Sequence, residues 1–227
     1  MNYKMKKLFI SNSLILALAG IVLGCGQSVK NRGEKTSRVD ILPYFNEATY
    51  TPQWISEESL PADFHAIPPF SLLNQSGEAI TEIDLDERVT VVNFFFTICP
   101  GICPKMMGNM NLVQQEFMDD DEVMILSHSV TPKYDSVPVL RSYAEDKGIT
   151  KDEWFLLTGE RDVIYDLGRN QYFVEEDLGL QKDPEEFIHT ENFVLIDQKR
   201  RIRGIYNGLN KSSVRQLIAD IKTLKNS

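Results

Sequence analysis

The chain has 227 residues, of which 42% are hydrophobic, and its formal charge at pH 7 is −9. This length and hydrophobic content fit one domain with a buried core. The acidic balance argues against a nucleic-acid partner, because the phosphate backbone binds basic surfaces.

The amino terminus has the pattern of a secretory signal peptide. Three lysines lie within the first seven residues, and residues 8–23 are almost all apolar or small. A basic segment followed by a short apolar segment predicts export. The apolar segment ends in Gly24 and Cys25, which resembles the bacterial lipobox, where the cysteine is diacylated and becomes the new amino terminus. We therefore predict a lipoprotein signal peptide at residues 1–24 and lipidation at Cys25, with an uncleaved membrane anchor as the alternative.

A lipidated Cys25 and an uncleaved membrane anchor have the same consequence. Both predict that the rest of the chain is tethered to the extracytoplasmic side of a membrane. Residues 25–38 are mostly polar and basic and lack hydrophobic periodicity, so we interpret them as a lipid-anchored flexible stalk. The folded domain is predicted at residues 39–227. Cleavage before Cys25 leaves 203 residues and removes three lysines, which shifts the formal charge from −9 to −12.

Strand and helix patterns begin near residue 67. Residues 67–80 contain a turn cluster between two apolar segments and are predicted to form a hairpin. Residues 89–96 are an unbroken β-branched and aromatic run, typical of a strand buried on both faces in the centre of a sheet. Cys99 and Cys103 follow this strand, and apolar residues recur at helical spacing after Pro104. The cysteines are therefore predicted at a strand-to-helix junction.

The rest of the chain continues to alternate between strands and helices. The sequence predicts strands at residues 123–130 and 154–157, helices at 137–146 and 161–171, a hairpin of 193–196 with 202–206, and a carboxyl-terminal helix with apolar residues from 214 to 224 on one face. This order predicts a thioredoxin-like α/β fold, with a central mixed sheet flanked by helices.

Cys99 and Cys103 are the two cysteines that remain in the domain if Cys25 is lipidated. A disulfide across three intervening residues closes a very short loop and stabilises a fold less than a long-range one does, so a chemical role is favoured. Thiols at a helix amino terminus lose their protons readily. Two such thiolates can hold one soft metal ion, which favours Cu(I), with zinc as a competitor, and two are too few for an iron–sulfur cluster.

A third ligand would come from one of three histidines, His65, His128 and His189. His65 precedes the first hairpin and is predicted to be a surface or packing residue. His128 lies within a predicted core strand and is predicted to be a buried, hydrogen-bonded histidine. His189 follows an irregular acidic segment, residues 175–186, in a loop that could fold over the sheet edge near the cysteines. Spacing alone leaves its role as a ligand open.

Two further groups of side chains were weighed as ligands. Met106, Met107 and Met110 carry soft thioethers, but their helical spacing predicts core packing. Residues 119–122 are acidic and lie at a predicted helix end, which indicates a solvated turn. We assign a metal to neither group.

At these residues the sequence resembles the Sco/SenC family of copper metallochaperones. The family pattern, an aromatic residue and a threonine followed by Cys-Pro-x-x-Cys-Pro, is matched from Phe96 to Pro104. The similarity continues through residues 42–44, 51–54, 75–77, 129–138, 157–159 and 189–190. The chain departs from the family at Thr131, usually aspartate, and at Gly101, commonly acidic or polar. A carboxylate that orients the metal ligands is therefore expected to be absent.

The resemblance implies that Cys99, Cys103 and His189 bind copper, as Cu(I) or Cu(II). It further implies delivery of that copper to subunit II of cytochrome c oxidase, where the protein helps to assemble the copper centre. The alternative is a thiol:disulfide oxidoreductase that uses Cys99 and Cys103 as its redox-active pair and keeps a partner's cysteines reduced. A peroxidase-like function explains neither the second cysteine nor His189.

Overall fold

The computed structural model describes residues 36–175, 186 and 188–226. The predicted signal peptide, Cys25 and nearly all of the predicted stalk lie outside the described residues, as does most of the acidic segment before His189. No helix within the described ranges is both long enough and apolar enough to cross a membrane.

A short hairpin precedes the main sheet. Strands β1 (Ser71–Leu73) and β2 (Ala79–Thr81) pair antiparallel. The side chain of Asn74 closes the turn, because its Oδ1 accepts hydrogen bonds from the backbone N–H groups of Ser76 and Glu78. Gly77 has a φ of +85°, a conformation that glycine adopts without strain. The predicted hairpin is therefore present.

Five strands form the central mixed sheet: β3 (Val89–Phe95), β4 (Val123–Ser129), β5 (Trp154–Leu157), β6 (Asn192–Ile196) and β7 (Ile202–Asn207). Their order is β5-β4-β3-β6-β7. The strands β3, β4 and β5 run parallel, whereas β6 is antiparallel to both β3 and β7. Every residue of β3 and β4 is buried, as expected for central strands covered on both faces.

Helices cover the sheet, which accounts for the two hydrophobic clusters of the domain. Helices α1 (Cys103–Glu116), α2 (Val137–Lys147) and α4 (Lys211–Lys225) pack on one face, against alternate residues of β3 such as Val91 and Phe95. The β1–β2 hairpin and helix α3 (Arg161–Asp166) pack on the other face, against Val92 and Phe94. Successive residues of a strand point to opposite faces, so β3 contributes to both clusters. The fold is thioredoxin-like, as predicted.

The predicted helix at residues 161–171 differs in its second half. The α-helix ends at Asp166, and a π-helical turn follows at Leu167–Gln171, closed by a hydrogen bond from the Tyr172 N–H to the Leu167 carbonyl. Gly168 in this turn packs directly on Phe94, where a Cβ atom would lie 3.0 Å from its ring. This close approach to β3 depends on tertiary packing, which helical periodicity does not report.

Candidate functional site

The two cysteines lie at the carboxyl end of the central strand β3. After β3 the chain turns, and the Cys99 N–H donates to the Phe96 carbonyl at 3.3 Å. Cys103 is the first residue of α1, and Pro104 follows it in the first helical turn, where a missing N–H has no cost. A Cβ atom at Gly101 would lie 4.0 Å from Cys99 Sγ, so this glycine leaves the sulfur uncovered on one side. The predicted strand-to-helix junction is confirmed.

The two thiols have different environments. Both are free; Cys99 is partly exposed and Cys103 is buried in the core beneath it. Burial alone would raise the pKa of the Cys99 thiol, but the thiol of Cys103 and the backbone N–H groups of Cys103, Gly101 and Ile102 hold that pKa below its ordinary value. Burial raises the pKa of Cys103 to about 12, and the hydrogen bond with Cys99 adds to the effect.

This asymmetry determines what the pair can do chemically. The thiolate is the reactive form of a cysteine, so Cys99 is better suited than Cys103 to attack a disulfide or to meet a metal ion first. Cys103 lies within hydrogen-bonding reach and can close a disulfide with Cys99 or become a second thiolate ligand. A metal ion near both sulfurs would favour loss of the Cys103 proton.

His189 is not assembled with the cysteines. Its side chain is exposed, and its backbone N–H donates to Glu175 Oε1 at 3.3 Å. The next residue, Thr190, is fixed by a hydrogen bond from its hydroxyl to the Val174 carbonyl at 2.7 Å. Among the residues that the structure describes, no three or more histidine, cysteine, aspartate or glutamate side chains are placed to hold a metal ion. The structure therefore brings together two of the three predicted ligands.

The other two histidines have structural environments. His65 Nε2 lies 2.8 Å from the Gln171 carbonyl oxygen, and its ring packs on Phe173, which agrees with a packing role. His128 is fully buried in β4 and stacks on Phe94. Neither ring nitrogen of His128 makes a hydrogen bond of good geometry, although the backbone groups of Leu126 and Asn93 lie near enough to act on the ring, so the histidine is less fully satisfied than predicted. Burial lowers the pKa of His128 to about 3.

The methionines and the acidic turn behave as the sequence predicts. Met106, Met107 and Met110 are almost completely buried and pack in the same cluster as Cys103. In the acidic turn, Asp120 forms an ion pair with Lys225 of α4.

The sequence reasoning missed a buried carboxylate close to the cysteine turn. Asp135 is completely buried and accepts hydrogen bonds from Thr97, Ser129 and Thr131. Thr131 is the residue that departs from the family pattern, and the structure places its hydroxyl 2.9 Å from an oxygen of Asp135. A buried carboxylate thus lies beside the Thr131 hydroxyl, four residues further along the chain. Hydroxyl and carboxyl residues at the ends of neighbouring strands were the available signal.

The domain has a thioredoxin-like sheet, and a free cysteine pair lies between its central strand and the first turn of the next helix. These features define a class of thiol-dependent proteins, which exchange disulfides or bind soft metal ions. The sequence profile of the SCO1/SenC family matches residues 59–226. The chain therefore belongs to the SCO1/SenC family.

Individual relatives agree with this assignment. The SCO1 protein homolog of Bacillus subtilis is 28% identical over 163 residues, which cover 70% of this chain and 82% of the relative. The crystal structure of a SCO1/SenC family lipoprotein from Bacillus anthracis has a TM-score of 0.61 at 27% identity and covers 70% of this chain and 95% of that chain.

Two further structures carry descriptions that bear on function. BsSco, described with a disulfide switch and as a member of the Sco family of cytochrome c oxidase assembly proteins, has a TM-score of 0.61 at 27% identity, covering 71% of this chain and 94% of that chain. Bradyrhizobium japonicum ScoI with copper bound has a TM-score of 0.55 at 24% identity, covering 70% and 99%. At that identity the likeness to ScoI supports the fold alone.

Proposed function

We propose that the protein binds one copper ion through Cys99, Cys103 and His189 and delivers it to the copper centre of cytochrome c oxidase subunit II. The observation that carries the proposal is the free cysteine pair at the start of α1, with one sulfur exposed and one buried beneath it. Thiolates are the ligands that Cu(I) prefers. Membership of the SCO1/SenC family and the oxidase assembly role stated for BsSco support the acceptor.

The proposed role of His189 requires its imidazole to meet the metal ion together with the two sulfurs. Its imidazole is exposed, and among the described residues it is not grouped with the two sulfurs. A nitrogen ligand extends the site from two-coordinate to three-coordinate, which suits Cu(II) better than thiolates alone. Copper binding would then draw residue 189 toward the carboxyl end of β3.

A thiol:disulfide oxidoreductase is the second candidate, and a specific observation favours it. The lowered pKa of the partly exposed Cys99, next to the buried Cys103, is the arrangement of an attacking and a resolving thiol. The disulfide switch described for BsSco also supports it. The two functions are compatible, because an acceptor's cysteines must be reduced before they bind copper.

The lipid anchor at Cys25 is part of the same proposal and holds the domain at the extracytoplasmic face of a membrane. The lipobox and the lipoprotein description of the Bacillus anthracis relative support it. Cys25→Ser should leave the protein out of the membrane fraction while copper binding stays unchanged. A variant whose signal peptide is removed but which still sediments with membranes would contradict the anchor.

The copper site is tested with protein that lacks residues 1–26, in reduced and in disulfide form. Metal analysis after dialysis against copper should find one copper per reduced molecule and none on the disulfide form, since only reduced sulfurs can be thiolate ligands. A Cys99→Ser, Cys103→Ser variant is the control and should bind none. Stoichiometric copper on the disulfide form, or none on the reduced form, would contradict the proposal.

A further inference from the structure

Asp135 forms a buried hydrogen-bond network at the carboxyl ends of the parallel strands β3 and β4. Its side chain is completely inaccessible to solvent. Its Oδ1 accepts from the Thr97 hydroxyl at 2.5 Å, and its Oδ2 accepts from the Ser129 hydroxyl at 2.5 Å and the Thr131 hydroxyl at 2.9 Å. The Thr97 backbone N–H also donates to Oδ2, at 3.3 Å. All four partners are donors, as a carboxylate requires.

A buried carboxylate is stable only when its oxygens are well satisfied. Asp135 forms no ion pair with a lysine or arginine in the described part of the chain. Its carboxylate is therefore stabilised by these neutral hydrogen-bond donors. Hydrogen bonds to a charged acceptor are stronger than those between neutral groups. The network therefore joins the chain after β3 to the chain after β4.

The segment that this network fixes is the one that leads into the cysteines. Thr97 lies two residues before Cys99, within the turn closed by the Cys99 N–H and the Phe96 carbonyl. Cys103, in contrast, is held by helix α1 and by the core. The position of the Cys99 sulfur relative to Cys103 thus depends on how firmly residues 96–99 are held.

We infer that Asp135 is a positioning residue for the cysteine pair, acting through Thr97 to hold the Cys99 sulfur beside Cys103. The inference concerns the site of the proposed function, but it applies to the metal-free dithiol and does not require copper. Fixing one sulfur next to the other raises their effective concentration. The intramolecular disulfide then forms more readily, and a metal ion meets two sulfurs that are already close together.

The test is the equilibrium between the metal-free protein and glutathione at pH 7. Oxidised glutathione takes two electrons from the cysteine pair, so one Cys99–Cys103 disulfide and two glutathione thiols form. In Asp135→Asn, which keeps the side-chain shape, the equilibrium constant for disulfide formation should fall by about tenfold, because the amide cannot accept from all four donors. Thr97→Val, which lacks the hydroxyl, should also lower the constant. Thr97→Ser keeps the hydroxyl and should have a constant near that of wild type.

Further variants separate positioning from a general loss of stability. Asp220→Asn is the matched control, since Asp220 is also a buried carboxylate, bonded to the Tyr206 hydroxyl in another part of the domain. It should lower the free energy of unfolding and leave the disulfide constant unchanged. If Asp135 acts through Thr97, Asp135→Asn should add little in the Thr97→Val background.

An unchanged or larger disulfide constant in folded Asp135→Asn would overturn the inference. If that variant does not fold, Thr97→Val decides: an unchanged constant overturns the inference, and a lower one restored by Thr97→Ser supports it. A failure of copper binding would count against the proposed function and would leave this result as it stands.

Discussion

Two adjacent residues of β4 show how burial affects polar side chains in opposite ways. Ser129 donates to Asp135 on the side of the cysteines, where every polar atom of the network has a partner. His128 points to the opposite face, because neighbouring residues of a strand alternate, and it lies among aromatic rings with no hydrogen bond of good geometry at either nitrogen. An imidazole in such a place is stable as the neutral form, so protonation of His128 opposes folding.

The resulting prediction concerns stability in acid. His128 has a pKa of about 3 in the folded protein and about 6.5 when unfolded, so between these pH values the unfolded state binds more protons. Its contribution to the free energy of unfolding is therefore present above pH 6.5 and is lost as the pH falls toward 3, with a slope of at most about 1.4 kcal/mol per pH unit. His128→Phe should remove this part of the pH dependence.

The effect is measured by urea unfolding of wild type and His128→Phe at about pH 7, 5.5 and 4.5. These values lie above and below the reference pKa of histidine, about 6.5. Carboxyl groups titrate in both proteins, so the difference between the two proteins is the quantity of interest. Parallel curves for wild type and His128→Phe would contradict the prediction.

At the scale of the elements, the sequence predicted what depends on local pattern. The apolar runs predicted β3 and β4 to within one residue at each end, and the helical spacing after Pro104 predicted the presence of α1. The π-helical turn after α3 was not predictable, because it depends on the packing of Gly168 against Phe94 from another element. The Asp135 network was missed for a related reason, since its donors come from two separate loops.

Two helix glycines give a stability prediction at this scale. Gly108 lies inside α1 and Gly148 ends α2 with a φ of +66°, and at both positions a Cβ atom would meet nothing within 4 Å. Only backbone conformation distinguishes them. Gly108→Ala should raise the free energy of unfolding by about 0.5–1 kcal/mol, because alanine loses less entropy in a helix. Gly148→Ala should lower it by about 1–2 kcal/mol, the cost of a left-handed residue.

Urea unfolding of both variants against wild type measures these shifts, and each variant is the control for the other. If Gly148→Ala were as stabilising as Gly108→Ala, the result would contradict the left-handed conformation of Gly148 at the end of α2. If Gly108→Ala were destabilising, the result would contradict the finding that a Cβ atom at Gly108 has open space around it.

At the scale of the whole molecule, the fold and the family could be predicted from the sequence, but the position of His189 could not. The order of strands and helices and the cysteine motif were enough to predict the thioredoxin-like fold and the Sco/SenC family. The sequence could not place His189 relative to the sulfurs, because residues so far apart in the chain are brought together by tertiary structure and not by a local pattern. The role of His189 therefore distinguishes the two candidate functions, because it shows whether the cysteine pair binds copper or only exchanges disulfides.

The most direct test titrates wild type, His189→Ala and His65→Ala with Cu(II) and follows the thiolate-to-copper absorption. The same three samples are then assayed for reduction of a model disulfide. Loss of one of three ligands should abolish the Cu(II) absorption of His189→Ala, while His65→Ala keeps it. Disulfide reduction should stay within about twofold of wild type in both variants, because it depends on the two cysteines. Intact copper absorption in His189→Ala, together with a steep fall in disulfide reduction, would contradict the copper site and favour the oxidoreductase.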